Sequence, residues 1–348
     1  MKVLVFGAGA IGTYIGGSLA LAGARVVFIE RPDVAVGFLE RGMRLVLQGV
    51  ERLIPDPLVT ESLKQALALG PYDVAIFALK SNDTQSALEG MKPYLAQLPP
   101  LLCLQNGVDN EPALSAVLGS QNVIPGTVTS AVGRRSAGDI ILEKYRGMGL
   151  ADGHPLSQQL TNELNNAGLN AHLFQNGLDM KWSKMLTNLL ANATSAILDM
   201  TPVEIFADPR LYRLEVRQLR EALQVMKSLG FTPVNLPGVP VRQLAFAIQS
   251  LPLVISRPLL RRSVGAGRGA KMPSFHIDLY SRRGTSEVDY LNGAVFRHGK
   301  RQGIPTPVNR LLNETLLALT TGEVSLQVYA HNPEALLRNT SIYPLMTP

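Results

Sequence analysis

Lys184, Asn188 and Asn192 recur every four residues in a segment, Trp182 to Ser195, that is otherwise mostly apolar. On a helix that spacing places all three on one face, with Leu186, Leu189 and Leu190 packed around it. A solvated helix face is the bland alternative. Asparagine is a mediocre helix former and seldom fills such a face, so the stripe reads as the lining of a cleft. Far upstream, Gly7-Ala8-Gly9-Ala10-Ile11-Gly12 follows the strand-like run Lys2 to Phe6. The two signals together point to reduction of a small carbonyl compound by a nicotinamide cofactor.

A second polar cluster runs from Thr285 to Gly293. Ser286 and Asp289 fit a capping box that starts a helix. Glu287 then lies in the first turn, where the helix dipole favours a carboxylate in any case. Ser274, after Pro273, could cap a helix or contact a substrate carboxylate.

In the glycine fingerprint, Gly7 permits a tight turn, Gly9 lets backbone approach a pyrophosphate, and Gly12 lets helix and sheet pack closely. The helix beginning near Ala10 and Ile11 aims unpaired N–H groups at phosphate. Alone the pattern is weak; a strand before, a helix after and a second strand beyond make it strong. That second strand ends Glu30-Arg31. An acidic residue there favours the ribose hydroxyls of NAD, and an arginine the 2′-phosphate of NADP. The local reading is divided and leans to NADP, because Arg31 could fork onto a phosphate. Lys80 and Asn106 follow the ends of two later strands, the edge where ligands collect in open parallel sheets.

These residues need a scaffold of particular shape. The chain has 348 residues, enough for two domains with separate cores. Its 46% hydrophobic and 17% charged residues describe a soluble globular protein. The single cysteine, Cys103, excludes an internal disulfide and a cysteine-based metal site, and fits a reducing, cytoplasmic compartment. The net charge of +6 is uneven: Arg257 to Arg301 holds ten Lys or Arg against three Asp or Glu. No nucleic-acid motif accompanies that block, so nucleic acid is not an expected partner. The apolar stretch Val239 to Leu260 is interrupted by Arg242, Gln243, Gln249, Pro252 and Arg257, which excludes a membrane span and leaves an amphipathic helix or lid.

Strands are expected at Lys2–Phe6, Arg25–Ile29, Tyr72–Leu79, Leu101–Leu104, Val123–Ala131 and Ala171–Phe174, with an antiparallel part of the sheet at Ile140–Leu142 and Met148–Leu150. Helices alternate with them at Ile11–Ala22, Asp83–Leu98 and Leu156–Ala167. This βαβ rhythm predicts an α/β fold with a parallel sheet covered on both faces. After Asn176 only helical periodicity remains, over Asp179–Ile197, Pro209–Leu229, Glu287–His298 and Pro307–Leu319. The expected organisation is a Rossmann-type dinucleotide-binding domain over 1–175 and an all-α C-terminal domain over 176–348, with an insertion near 236–271. Long apolar helices in the second domain would allow a homodimer.

At these residues the sequence resembles the ketopantoate reductase (2-dehydropantoate 2-reductase) family over most of its length. The matching pieces are the GAGAIG turn, Arg31, Leu79-Lys80-Ser81-Asn82, Gln105-Asn106-Gly107-Val108, Lys184 with Asn188, Ser274, Ser286 to Gly293, and Gly303 to Asn309. The resemblance implies NADPH-dependent reduction of a 2-oxo acid to a 2-hydroxy acid on the route to pantothenate and coenzyme A. It implies an active site between a Rossmann domain and a helical domain. Lys184 matches the family's general acid, and Glu287 the carboxylate that contacts substrate or cofactor ribose and helps orient that lysine. Asn188 and Asn192 match positions that hold the substrate's hydroxyl and carbonyl, Ser274 the carboxylate-binding residue, and Asn106 a residue at the nicotinamide and substrate. Two departures stand near the substrate side: the longer, basic segment from about Leu236 to Lys271, and one extra residue between Asp278 and Glu287. They leave another 2-oxo acid as the alternative substrate. A non-catalytic NADP-binding sensor is the alternative from a different class, and it would need neither Lys184 nor Glu287.

Overall fold

The structure, a computed structural model, describes residues 1–268, 271–281 and 284–339. Its first half is built on the alternation seen in the sequence. Strands β1 (Lys2–Phe6), β2 (Arg25–Ile29), β3 (Met43–Leu47), β4 (Val50–Ile54), β5 (Leu58–Thr60), β6 (Val74–Phe77) and β7 (Leu101–Cys103) come first. They are followed by β8 (Val123–Val128), β9 (Ala131–Ser136), β10 (Asp139–Lys144), β11 (Met148–Ala151) and β12 (Ala171–Phe174). The helices between them are α1 (Ala10–Leu21), α2 (Pro32–Arg41), α3 (Leu63–Ala68), α4 (Thr84–Met91), α5 (Asn110–Leu118) and α6 (Ser157–Asn166).

Eight strands form the main sheet, in the order β12-β11-β8-β7-β6-β1-β2-β5. From β8 to β5 all neighbours are parallel; β11 runs antiparallel to β8 and carries β12 parallel to itself. The central strands are apolar on both faces, as helix-covered parallel strands must be: Val3, Leu4 and Val5 of β1 and Val74 to Phe77 of β6 are all buried. The antiparallel part expected at Ile140–Leu142 does not belong to this sheet. β10 lies in a second, four-stranded sheet of order β4-β3-β10-β9, parallel to β3 and antiparallel to β9.

Helix α1 packs against β1 and β2 of the main sheet and against β3, β9 and β10 of the second. A helix pressed on two sides needs small residues on both. A side chain at Gly16 would stand 2.7 Å from the Phe28 ring, and one at Gly17 2.7 Å from Leu45. That accounts for a first helix with no polar face.

The second half is helical: α7 (Gly177–Leu189), α8 (Asn192–Leu198), α9 (Pro202–Ala207), α10 (Pro209–Ser228), α11 (Val241–Ser250), α12 (Leu253–Arg268), α13 (Ser274–Tyr280), α14 (Val288–Arg301), α15 (Pro307–Thr321) and α16 (Pro333–Asn339). Helix α10 is its centre. Pro209 opens it, the Asp208 side chain caps the Arg210 and Leu211 N–H groups, and it packs against α9, α11, α14 and α15. Its apolar face buries Leu211, Leu214, Leu219, Leu223 and Met226.

The chain divides into two compact units. The first comprises Met1–Lys181 with Asn235–Val239, and the second Trp182–Val234 with the chain from Pro240 onward. The parting point thus falls inside α7, beyond the 175/176 position read from the sequence. Lys181 accounts for it: its ammonium is buried in the first unit against the Glu111 carboxylate at 2.6 Å and the Gln105 and Gly126 carbonyls. Asn235–Val239 belongs there too, where the Thr129 hydroxyl donates to the Pro237 carbonyl at 2.8 Å. The segment read as an insertion forms α11 and α12, with residues 269–270 outside the described residues. Among the described residues no helix is long and apolar enough to cross a membrane.

Candidate active site

The glycine turn sits at the C-terminal end of β1, which lies between β6 and β2 in the main sheet. Gly7 has φ +85°, a left-handed conformation that other residues adopt only under strain. A Cβ on Gly12 would lie 1.8 Å from the Gly7 carbonyl oxygen, so α1 can approach the turn only with glycine there. A Cβ on Gly9 would meet nothing within 4 Å. Space therefore opens at the middle glycine, where the fingerprint expects a pyrophosphate. Gly9 is also the N-cap of α1 and brings no side-chain acceptor to the first turn. Ala10 and Ile11 occupy that turn. The turn thus fits a dinucleotide: N–H groups at a helix start, with room in front of them.

At the end of β2 the two competing residues diverge. The Glu30 carboxylate turns back to the glycine turn and accepts from the Ala8 N–H at 2.6 Å, and from the Arg31 N–H at 3.2 Å. Arg31 is the N-cap of α2; its guanidinium is 77% exposed and stands 3.6 Å from Asp33. An exposed guanidinium loosely held by one carboxylate is available to a phosphate.

Lys80 follows β6, as the N-cap of the 3₁₀ turn Ser81–Asp83, and is half-buried. Asn106 is exposed in the turn after β7, next to Gly107 at φ +91°. Asn110, which the sequence reading passed over, holds this turn in place. Its Nδ2 donates to the Asn106 carbonyl at 2.8 Å and to the Ser81 hydroxyl at 3.1 Å, which ties the loops after β6 and β7 together. The clue was an asparagine four residues beyond Asn106, at the start of α5.

In the second unit the expected straight stripe is broken. Helix α7 ends at Leu189 and α8 begins at Asn192; between them Ala191 adopts the left-handed conformation (φ +50°, ψ +19°). For a residue with a Cβ this costs about 1–2 kcal/mol, so surrounding contacts must impose it. Lys184 and Asn188 remain together on α7, both half-buried. Asn192 lies beyond the break and is buried, where it meets Ser274, 82 residues away in the chain. Its Nδ2 donates to the Ser274 hydroxyl at 3.4 Å, and its Oδ1 accepts from the Phe275 N–H at 3.2 Å. Asn192 supplies the cap for α13 that Ser274, its first residue, does not.

The capping box expected at Ser286 and Asp289 does not form. Glu287 is itself the N-cap of α14, without a side-chain cap. The Ser286 hydroxyl accepts from the Val288 N–H at 3.2 Å, and the Asp289 carboxylate is drawn away to Arg297 at 2.7 Å. A full guanidinium charge outcompetes a backbone N–H for the carboxylate. Glu287 is half-buried at the head of that helix.

A glycine turn on a parallel sheet, followed in the chain by a helical unit that carries a lysine and paired asparagines, defines a Rossmann-type oxidoreductase. Two family profiles match in series: ketopantoate reductase PanE/ApbA over residues 3–153, and the PanE/ApbA C-terminal domain over residues 176–320. The chain belongs to the ketopantoate reductase family. It is similar to the 2-dehydropantoate 2-reductase of Streptococcus pyogenes, 25% identical over 324 residues that cover 91% of this chain and 97% of that one. A ketopantoate reductase of Ralstonia eutropha superposes with a TM-score of 0.78 at 27% identity, covering 93% of this chain and 99% of its own. D-mandelate dehydrogenase, solved with NADH and anilino(oxo)acetate, shares the fold with a TM-score of 0.75 at 22% identity, over 92% of this chain and 99% of its own.

Proposed function

We propose that this chain reduces 2-dehydropantoate (ketopantoate) to pantoate with NADPH, on the route to pantothenate and coenzyme A. The observation that carries the reading is the meeting of Asn192 and Ser274 within hydrogen-bond distance. The family resemblance implies a substrate role for both positions, which lie in separate stretches of sequence and come together here.

Gly7, Gly9, Ala10, Ile11 and Gly12 would hold the pyrophosphate, Arg31 the 2′-phosphate, Lys80 a phosphate or ribose, and Asn106 the nicotinamide side. NADPH supplies the hydride when bound. Lys184 stabilises the charge that develops on the ketone oxygen through its ammonium and gives that oxygen its proton, which leaves a neutral amine. Asn188 and Asn192 hold the hydroxyl and carbonyl of the substrate, and Ser274 its carboxylate. Glu287 balances the ammonium and orients it.

The family also supports reduction of a different 2-oxo acid. What favours this second reading is the basic segment that forms α11 and α12, which the sequence sets apart as longer than the family resemblance would imply. NADPH oxidation with a panel of 2-oxo acids decides between the two. Ketopantoate should give the highest kcat/KM. A higher value for a bulkier or aromatic 2-oxo acid would replace the substrate, and no oxidation with any of them would overturn the reading.

A further inference from the structure

The break between α7 and α8 is clasped from the core by two residues of α10. Glu215 is wholly buried, and its carboxylate accepts from the Ala191 N–H at 2.7 Å, from the Thr194 hydroxyl, and from Gln218 Nε2 at 2.7 Å. The same Gln218 Nε2 donates to the Leu189 carbonyl at 3.2 Å, while its Oε1 accepts from Asn292 at 3.0 Å. Gln218 therefore takes the end of α7, and Glu215 takes the start of α8. Helix ends leave such backbone groups without partners, and a buried one left unpaired is costly. The two side chains meet both needs at once and hold Ala191 in its left-handed state. Asn188 lies one residue before the end of α7, and Asn192 is the first residue of α8.

We propose that Glu215 is a positioning residue for the 2-oxo acid: by fixing the α7–α8 break, it sets Asn192 against Ser274. The inference rests on the substrate roles given above to Asn188, Asn192 and Ser274. Glu215 touches no substrate. Its effect reaches the ketone only through the angle at which α8 leaves α7, so substrate binding should feel it and cofactor binding should not.

The test compares Glu215→Gln, Thr194→Val and the double variant Glu215→Gln with Ala191→Gly in the full-length protein. Glutamine keeps the shape and replaces one acceptor oxygen by an NH₂ group that faces donors. Loss of one such hydrogen bond should raise KM for ketopantoate about tenfold, with Kd for NADPH unchanged and kcat little altered. Thr194→Val, which removes one donor and keeps the volume, should move KM the same way by a smaller factor. Glycine at 191 adopts the left-handed state without strain, so the double variant should recover part of the loss. A purely structural role would lower the melting temperature of Glu215→Gln and leave KM for the 2-oxo acid unmoved. That result would overturn the proposal, and should Glu215→Gln not fold, an unmoved KM in Thr194→Val would do the same. A wild-type protein inactive on every 2-oxo acid would overturn the functional reading and the positioning role together, whereas active variants with unmoved KM would overturn the positioning role alone.

Discussion

The Glu30 carboxylate accepts a 2.6 Å hydrogen bond from the backbone N–H of Ala8, inside the glycine turn, while the neighbouring Arg31 guanidinium stays exposed. A residue type that favours NAD thus stands beside one that favours NADP, and the chain divides their work. Glu30 braces the turn, and Arg31 remains available for a 2′-phosphate.

Arg31→Ala should therefore weaken NADPH by about tenfold or more, the worth of one charge-assisted contact, and leave NADH nearly unchanged. Equal losses for both cofactors would reject the phosphate assignment. Glu30→Gln should shift the ratio of the two affinities toward NADPH, because a negative charge beside Arg31 is removed. Steady-state KM values for both cofactors measure each effect.

Lys184→Ala should lower kcat at least about a hundredfold, the lower range for loss of general acid catalysis. Binding of NADPH, followed by quenching of protein fluorescence, should persist. Near-normal turnover would remove the lysine from the mechanism.

The buried pair Lys181–Glu111 predicts a steep asymmetry. Lys181→Met leaves a carboxylate in the core of the first unit with its charge uncompensated, which should cost about 3–5 kcal/mol. Lys181→Met with Glu111→Leu removes both charges and should recover most of that loss. Urea unfolding of the two variants checks the difference.

Burial raises the Glu221 carboxyl to about 7, although the Val308 and Asn309 N–H groups and the Asn309 side chain, donating to it, oppose the shift. In the unfolded chain the same group titrates near 4.5. Between those values the folded state binds more protons than the unfolded one. The stabilisation is complete below the lower value and is lost as pH rises through the upper one. Stability should then fall by up to a few kcal/mol from about pH 5 to about pH 8. In Glu221→Gln this contribution to the slope should disappear, and urea midpoints across that range would reveal it.

What the sequence disclosed depended on how local each cause is. β1, the glycine turn and β2 stand as expected, since the turn, the apolar runs and the helix start are encoded within thirty neighbouring residues. The second sheet escaped notice because β4 is largely exposed and carries Glu51 and Arg52, so it lacks the alternation of a half-buried strand. The one local sign was Gln48-Gly49, both at positive φ (+50° and +82°), a hairpin turn between β3 and β4. The kink at Ala191 was invisible for a different reason. Its alanine is an excellent helix former, and the carboxylate that overrules it lies 24 residues away on α10. The meeting of Asn192 with Ser274 likewise follows from tertiary packing and leaves no mark in spacing.

Because Lys181 and the Asn235–Val239 strap both serve the first unit, no single cut separates the two modules cleanly. A fragment ending at residue 175 would lack the ammonium that neutralises Glu111 and the carbonyl that receives the Thr129 hydroxyl. Exchange of whole domains with a relative would have to carry three crossing points together, so hybrids are better sought by changing side chains within one unit than by grafting a whole one.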